Sequence, residues 1–277
     1  MKTVLEVLQS TSAYFAKAGV ESPRLNIEHL LAHVLGKKRM DLYLEFDRPL
    51  NDAELNPLRE FVRRRAQGEP LQHIMGGVEF MGRSFRCDAR ALIPRPETEQ
   101  LVEKILQRHT IPPSRIVDVG TGSGVIALTL AAAWPEAEVH AVDISEPALS
   151  LARENAAALN LESRVTFHHG SLLGPVSGTF ELVVANLPYV PAGDIATLSK
   201  EVKHDPVLAL DGGEDGTLLI RSLLAGAKSH LAGLLALEIG HAQSDALTEA
   251  LISEHYHSIS AEADYPGRNR FLFASYG

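Results

Sequence analysis

Residues Arg115 to Ala133 read RIVDVGTGSGVIALTLAAA. A short apolar run opens the stretch, glycines follow at 120, 122 and 124, and an apolar run of helical length closes it. This is strand, tight turn and helix, the opening unit of an α/β fold. Glycine tolerates positive φ and close backbone approach, so the turn can bring a helix N-terminus against a strand end. Such a turn can also wrap a nucleotide-like ligand. The spacing excludes two common uses. A dinucleotide fingerprint needs a glycine where Val125 stands, and the lysine of a P-loop is absent. Alone, the loop is weak evidence of a ligand, since strand–helix turns often need glycine simply to close.

Downstream, apolar strands alternate with amphipathic helices. Strands are expected at 115–119, 139–143, 165–169, 181–186 and 234–239, and helices at 124–133, 147–159, 217–229 and 242–254. That alternation implies a mostly parallel sheet. Two last runs, 258–262 and 269–274, are joined by Asp264-Tyr265-Pro266-Gly267 and suggest an antiparallel pair at one edge. Upstream, GGVEFMGRSFRCD (Gly76–Asp88) alternates around Gly82 as a hairpin does. Pro94-Arg95-Pro96 then leads stiffly into a helix reaching about Gln107.

From Thr3 to about Gly68 the period is helical. One face carries Leu5, Leu8, Ala13, Phe15 and Ala16; a second, after Ser22-Pro23, carries Leu25 to Leu35 and stops at Gly36. Leu42–Leu44 is a short helix or a turn. The last helix is capped by Asn51-Asp52, or starts at Asn56 with Pro57 in its first position. Arg63, Arg64 and Arg65 lie at its C-terminal end, where a helix dipole favours cations, and read as a solvated face or a docking patch for an acidic partner.

The chain has 277 residues, a formal net charge of −9 and one cysteine, Cys87. Its length suits one large domain or two unequal ones. The acidic balance argues against broad phosphate-driven nucleic-acid binding. A lone cysteine excludes an internal disulfide or a cysteine-rich zinc site. No apolar run is long enough to span a membrane, and MKTVLEVLQSTSAYF lacks the unbroken apolar stretch of a signal peptide. A cytoplasmic protein is expected.

Asp143 ends the next strand about 20 residues past the glycine loop, the offset of a ribose-binding acid in nucleotide-binding folds. It can equally be a capping carboxylate for the helix that Ser145 and Pro147 begin. The third strand ends in His168-His169-Gly170-Ser171-Leu172, where Ser171 can bond an adenine edge and Leu172 cover its face. Adjacent strand residues point to opposite faces, so the two histidines read as structural rather than metal-binding. Three successive strand ends thus point to an adenosine with no phosphate to anchor.

VVANLPYVP (Val183–Pro191) is an apolar strand that stops at Asn186, with Pro188 barring further ladder pairing. It puts a side-chain amide, backbone carbonyls and an aromatic ring at the carboxyl end of a strand, where open α/β sheets bind ligands. A planar NH2 group delocalises its lone pair and is a poor nucleophile. The Asn186 side-chain oxygen and the Leu187 carbonyl can accept its two N–H bonds, aim the nitrogen and favour its pyramidalisation, while Tyr189 packs over the plane.

The loop Gly120-Thr121-Gly122-Ser123-Gly124 with Asp143, Ser171 and Leu172 resembles the donor site of class I S-adenosylmethionine-dependent methyltransferases. That resemblance implies a Rossmann-like, mostly parallel seven-stranded sheet, with S-adenosyl-L-methionine as donor and S-adenosyl-L-homocysteine as product. Asn186-Leu187-Pro188-Tyr189 is similar to the motif of enzymes that methylate adenine, cytosine or glutamine nitrogens. Gly68-Glu69-Pro70-Leu71-Gln72-His73-Ile74 and Leu92-Ile93-Pro94-Arg95-Pro96-Glu97-Thr98-Glu99 resemble the bacterial protein-(glutamine-N5) methyltransferases. Pro23-Arg24-Leu25-Asn26-Ile27-Glu28, Leu30 to Gly36, Asp205-Pro206 and Gly212-Gly213-Glu214-Asp215-Gly216 are similar to the release-factor (HemK) family within them.

The resemblance covers essentially the whole chain. It implies a helical docking domain (1–74), a hairpin linker (75–93) and a catalytic domain (94–277). The implied substrate is the glutamine of the Gly-Gly-Gln motif in peptide chain release factors one and two. Asn186, Leu187, Pro188 and Tyr189 would be catalytic and substrate-binding, Arg95 would steady the pocket entrance, and Asn186 would also border the donor. No metal, nucleic acid or membrane is implied, and a monomer is expected. Two departures stand out: Leu187 replaces the first of two prolines usual in the motif, and His73 stands where tyrosine is commoner. The alternatives are a glutamine methyltransferase of a ribosomal protein and a nucleic-acid adenine or cytosine amino-methyltransferase; ribosomal RNA adenine dimethyltransferases also carry N-L-P-Y.

Overall fold

The computed structural model describes residues 2–277 and divides into two compact units. One is the chain up to Gly77 together with Ser199–His204; the other is Val78–Leu198 with Asp205–Gly277.

The first unit is helical: α1 (Val4–Lys17), α2 (Pro23–Leu35), a 3-10 segment (Arg39–Leu44), α3 (Asp52–Ala66) and α4 (Leu71–Met75). The apolar faces of α1 and α2 meet around Leu8, Phe15, Ile27, Leu30 and Leu31, all fully buried. Helix α3 begins at the earlier of the two starts allowed by the sequence. Asn51 and Glu54 bond each other's backbone N–H groups at 3.0 and 2.9 Å, a reciprocal cap that holds the start although Pro57 falls inside the helix. Helix α4, unforeseen in the sequence, is a single turn after Pro70, too short to show a period.

The arginine run is divided: Arg63 is exposed, as a solvated face would be, Arg64 is half-buried and Arg65 is buried. Arg65 donates to Asn26 Oδ1 at 2.7 Å and to the Glu69 carbonyl at 3.0 Å, and it pairs with Glu201. Arg64 is paired with Glu69 and Arg63 with Glu60. Glu28, also buried, accepts from Arg24, Arg39 and Tyr43. Burial alone pushes its pKa up, but those three hydrogen bonds outweigh it and hold the carboxyl below its usual range.

The second unit contains the hairpin β1 (Gly77–Phe80) and β2 (Arg83–Arg86), then α5 (Pro96–Arg108), β3 (Arg115–Val119), α6 (Val125–Ala133), β4 (Glu138–Asp143), α7 (Glu146–Ala158), β5 (Val165–His169), β6 (Phe180–Asn186), α8 (Leu218–Ala227), β7 (Leu231–Glu238), α9 (Ser244–Ser253), β8 (His257–Ala263) and β9 (Asn269–Tyr276). The hairpin turns at Met81 and Gly82, both at positive φ, the turn whose twist matches paired strands.

The seven main strands lie in the order β5-β4-β3-β6-β7-β9-β8. β3 through β7 pair in parallel and β9 is antiparallel to both neighbours. Alternate residues fill two cores. Ile116, Leu182 and Val184 pack with α5, α6 and the hairpin phenylalanines, whereas Val117, Val183 and Leu235 pack with α8 and α9. β7 starts three residues earlier than expected because Gly233 is no break. It lies at a register shift of β6, where a Cβ would sit 2.3 Å from the Glu181 carbonyl oxygen. Among the described residues no helix is long and apolar enough to cross a membrane.

Strand order reverses at β3, with β4 on one side and β6 on the other, so a crevice opens at their carboxyl ends. Asn155 of α7, fully buried, stitches that region together. Its Oδ1 accepts from Arg86 N at 2.7 Å, and its Nδ2 donates to the carbonyls of Ser123 and Arg86 at 2.9 and 3.2 Å. Asn155→Ala takes a partner from one N–H and two carbonyls, which should cost about 1–3 kcal/mol of stability and lower the midpoint of thermal unfolding by several degrees. An unchanged midpoint would mean that the bridge carries no stability.

Candidate active site

The crevice holds about 1110 Å³ of space between atoms, its open mouth included. Gly120, Thr121, Gly122 and Ser123 from the β3–α6 loop line it, with Asp143, Ser171, Leu172, Asn186, Leu187, Pro188 and Arg95. Two residues singled out from the sequence fall outside its wall. Gly124, at φ +84°, begins α6, and a Cβ there would lie 3.1 Å from both Ala152 and Leu128. Tyr189 packs against the α8–α9 core, where burial pushes its phenol up to about 12.

Asp118, at the end of β3, shapes the loop from below. Its Oδ2 accepts from the Thr121 hydroxyl at 2.6 Å and from Ala127 N at 3.1 Å, while Oδ1 is buried with no partner. Burial pushes this carboxyl up to about 7; the two hydrogen bonds oppose the rise and the nearby Asp143 adds to it. Thr121 thus spends its hydroxyl on Asp118 and offers the cavity little polarity.

Asp143 is both a capping group and a free acceptor. Its two oxygens take Gly122 N and Ser145 N, each at 2.8 Å, which ties the glycine loop to the start of α7. Burial raises its pKa despite hydrogen bonds from Ser145, Gly122 and Ile144. With three of its roughly four acceptor sites taken by backbone N–H groups, the carboxylate can still receive a ligand hydroxyl. Gly122 leaves open space beside it: the nearest atom to a Cβ there would be Ala91 Cβ at 3.9 Å.

Around Asn186, β6, α5 and β7 meet. Asn186 ends β6, opposite Glu238 in the parallel register with β7. Its Nδ2 donates to Thr98 Oγ1 at 3.1 Å, and the Thr98 hydroxyl donates to Glu238 Oε2 at 2.7 Å. Glu238 is 1% exposed, and burial pushes it up to about 7, with the Thr98 hydrogen bond opposing the rise. Arg95 is held by Asp205, Nη2 to Oδ2 at 2.7 Å, and Ile93 N donates to the other Asp205 oxygen at 3.3 Å. Sequence reasoning passed over Asp118, Thr98 and Asp205. Only Asp118 carried a local signal, as the first residue of the glycine loop; the others act across gaps of about a hundred residues.

The histidine pair is divided as strand geometry requires. His168 stacks on His140 with ring centroids 5.0 Å apart, while His169 Nε2 meets the Ile144 carbonyl at 2.9 Å. Among the described residues no cluster of candidate metal ligands occurs.

Two family models match: the PrmC N-terminal domain over residues 6–76 and the methyltransferase small domain over residues 96–231. The release factor glutamine methyltransferase of Deinococcus radiodurans is 44% identical over 273 residues, covering 97% of this chain and 97% of that protein. The release factor glutamine methyltransferase of Chlorobaculum tepidum is 40% identical, with 98% and 96% covered. A methyltransferase structure from Pyrococcus furiosus gives a TM-score of 0.54 at 21% identity, over 71% of this chain and 91% of that one, a likeness of fold alone. With relatives this similar along nearly its whole length, the chain belongs to the family of release factor glutamine methyltransferases.

Proposed function

We propose that the protein moves a methyl group from S-adenosylmethionine to the side-chain amide nitrogen of the glutamine in the Gly-Gly-Gln motif of peptide chain release factors one and two. The observation that carries this reading is the single cavity shared by the glycine loop, Asp143 and Asn186-Leu187-Pro188. A donor site and an acceptor for a planar N–H2 group open onto the same space.

S-adenosylmethionine supplies an electrophilic methyl group when bound. Its ribose suits Asp143, which can still accept a hydroxyl, and its adenine suits Ser171 and Leu172. The space beside Gly122 fits the rest of an elongated ligand near the loop. The Asn186 Oδ1 and the Leu187 carbonyl accept the two N–H bonds of the glutamine amide. They draw density toward nitrogen as its lone pair leaves conjugation, and they hold it in line for transfer. The proton leaves after the C–N bond has formed, so no base is needed beforehand. Residues 1–74 dock the release factor, residues 75–93 link, and residues 94–277 carry the chemistry. Arg95, clamped by Asp205, steadies the cavity mouth. The enzyme works as a cytoplasmic monomer on protein, without touching nucleic acid.

Labelled S-adenosylmethionine should mark a wild-type release factor and spare one whose Gly-Gly-Gln is changed to Gly-Gly-Ala; label on both, or on neither, rejects the substrate. Asn186→Ala should lower turnover by about 10²- to 10³-fold with donor affinity nearly kept. Equal loss of both would assign Asn186 to the donor. Asp143→Ala should weaken donor binding by roughly 10- to 100-fold, as losing hydrogen bonds to a charged group does. An unchanged dissociation constant by calorimetry would reduce Asp143 to a helix cap.

A further inference from the structure

A side-chain amide fits its pocket in two orientations related by a half-turn, one presenting oxygen and the other NH2. Only the first can serve a substrate nitrogen that arrives with two hydrogens. Something must choose between them, and Asn186 itself cannot.

The choice is readable from the hydrogen-bond chain behind Asn186. Glu238 lies at the buried end, and as a carboxylate it can only accept. It takes the single proton of the Thr98 hydroxyl at 2.7 Å, which leaves Thr98 Oγ1 with lone pairs alone to offer. Asn186 therefore meets Thr98 with a donor, Nδ2, at 3.1 Å, and Glu238 accepts a further hydrogen bond from the same amide. Turned the other way, Asn186 Oδ1 would face two acceptors with no proton between them. Thr98 is 3% exposed, so water cannot easily step in to repair the mismatch. Three elements converge to build the chain: the first turn of α5, the end of β6 and the end of β7.

We infer that Thr98 and Glu238 are positioning residues that lock the Asn186 amide with its oxygen toward the cavity, and that they thereby select a planar N–H2 donor over a carboxylate. This rests on the reading of Asn186 as the acceptor for the substrate nitrogen. A glutamate side chain would set its lone pairs against Asn186 Oδ1 and the Leu187 carbonyl, so the lock is also what separates glutamine from glutamate. Neither Thr98 nor Glu238 needs to touch the substrate.

Two substitutions test the lock without opening a cavity. Thr98→Val keeps the shape and removes the hydroxyl. Glu238→Gln keeps the volume but adds a donor, which pairs with Asn186 Oδ1 once the amide has turned. Each should lower kcat by roughly 10- to 100-fold, the scale of a misplaced reacting group, with the donor dissociation constant within about twofold. Thr98→Ser should recover most of the turnover. Packing alone predicts the opposite for Glu238→Gln. At a pH above about 7 the native fold holds a buried ionised carboxylate, so the glutamine variant should melt no lower than wild type while still losing turnover.

A second readout does not depend on activity: the Asn186 side-chain NH2 protons should be protected from hydrogen exchange in wild type and exposed in Thr98→Val. Wild-type turnover in either Thr98→Val or Glu238→Gln, or unprotected Asn186 protons in wild type, overturns the inference. Protected protons in a wild-type enzyme that labels no release factor would support the lock and reject the substrate instead.

Discussion

Gly120 and Leu187 compete for one volume. They leave neighbouring parallel strands, β3 and β6, whose ends lie about 4.8 Å apart. A Cβ on residue 120 would fall 2.9 Å from Leu187 Cδ2. The glycine loop and the Asn186-Leu187-Pro188 loop are therefore packed against each other, so a shift of one is felt by the other. The Leu187 side chain, 5% exposed, is thus packed against the glycine loop, and this contact restrains the backbone that carries its carbonyl.

Two carboxyl groups in the second unit depart from the economy of an ordinary core. Asp118 and Glu238 are almost wholly buried, and neither faces a cation in the hydrogen bonds it accepts. Such groups cost stability whenever they ionise, so a core chosen for stability alone would replace them. The first unit treats its buried charges differently: Glu28 and Arg65 are each paired with opposite charge. Unpaired acids gather where β3 and β7 end, beside the cavity. That is the expected place for groups kept for chemistry rather than cohesion.

Most of the second unit was legible in the sequence because its strands are buried on both faces. Continuous apolar runs such as Leu182–Ala185 between polar or glycine-rich turns leave little choice of state. The glycine loop and Asp143 could be recognised because a loop and a strand end are local in sequence. What escaped was non-local or disguised. The strand expected from 234 begins at 231 and runs through Gly233, a point of close backbone approach; α4 was too short to show a period. Thr98 stood in plain view between two glutamates, yet its meaning lies 88 residues away in Asn186 and 140 away in Glu238. The arginine run misled because paired and solvated arginines look alike until their partners are known.

The order of the last strands carries a consequence for how the sheet is assembled. β8 precedes β9 in the chain but lies outside it, and its only strand neighbour is β9. β8 can join the sheet only through β9. A local hairpin closes in microseconds, much faster than strands distant in sequence find one another. The β8–β9 pair should thus zip first and dock as a preformed flap, with Phe271 and Phe273 entering one core and Leu272 the other. Until it does, β7 presents an open apolar edge on which another chain could pair.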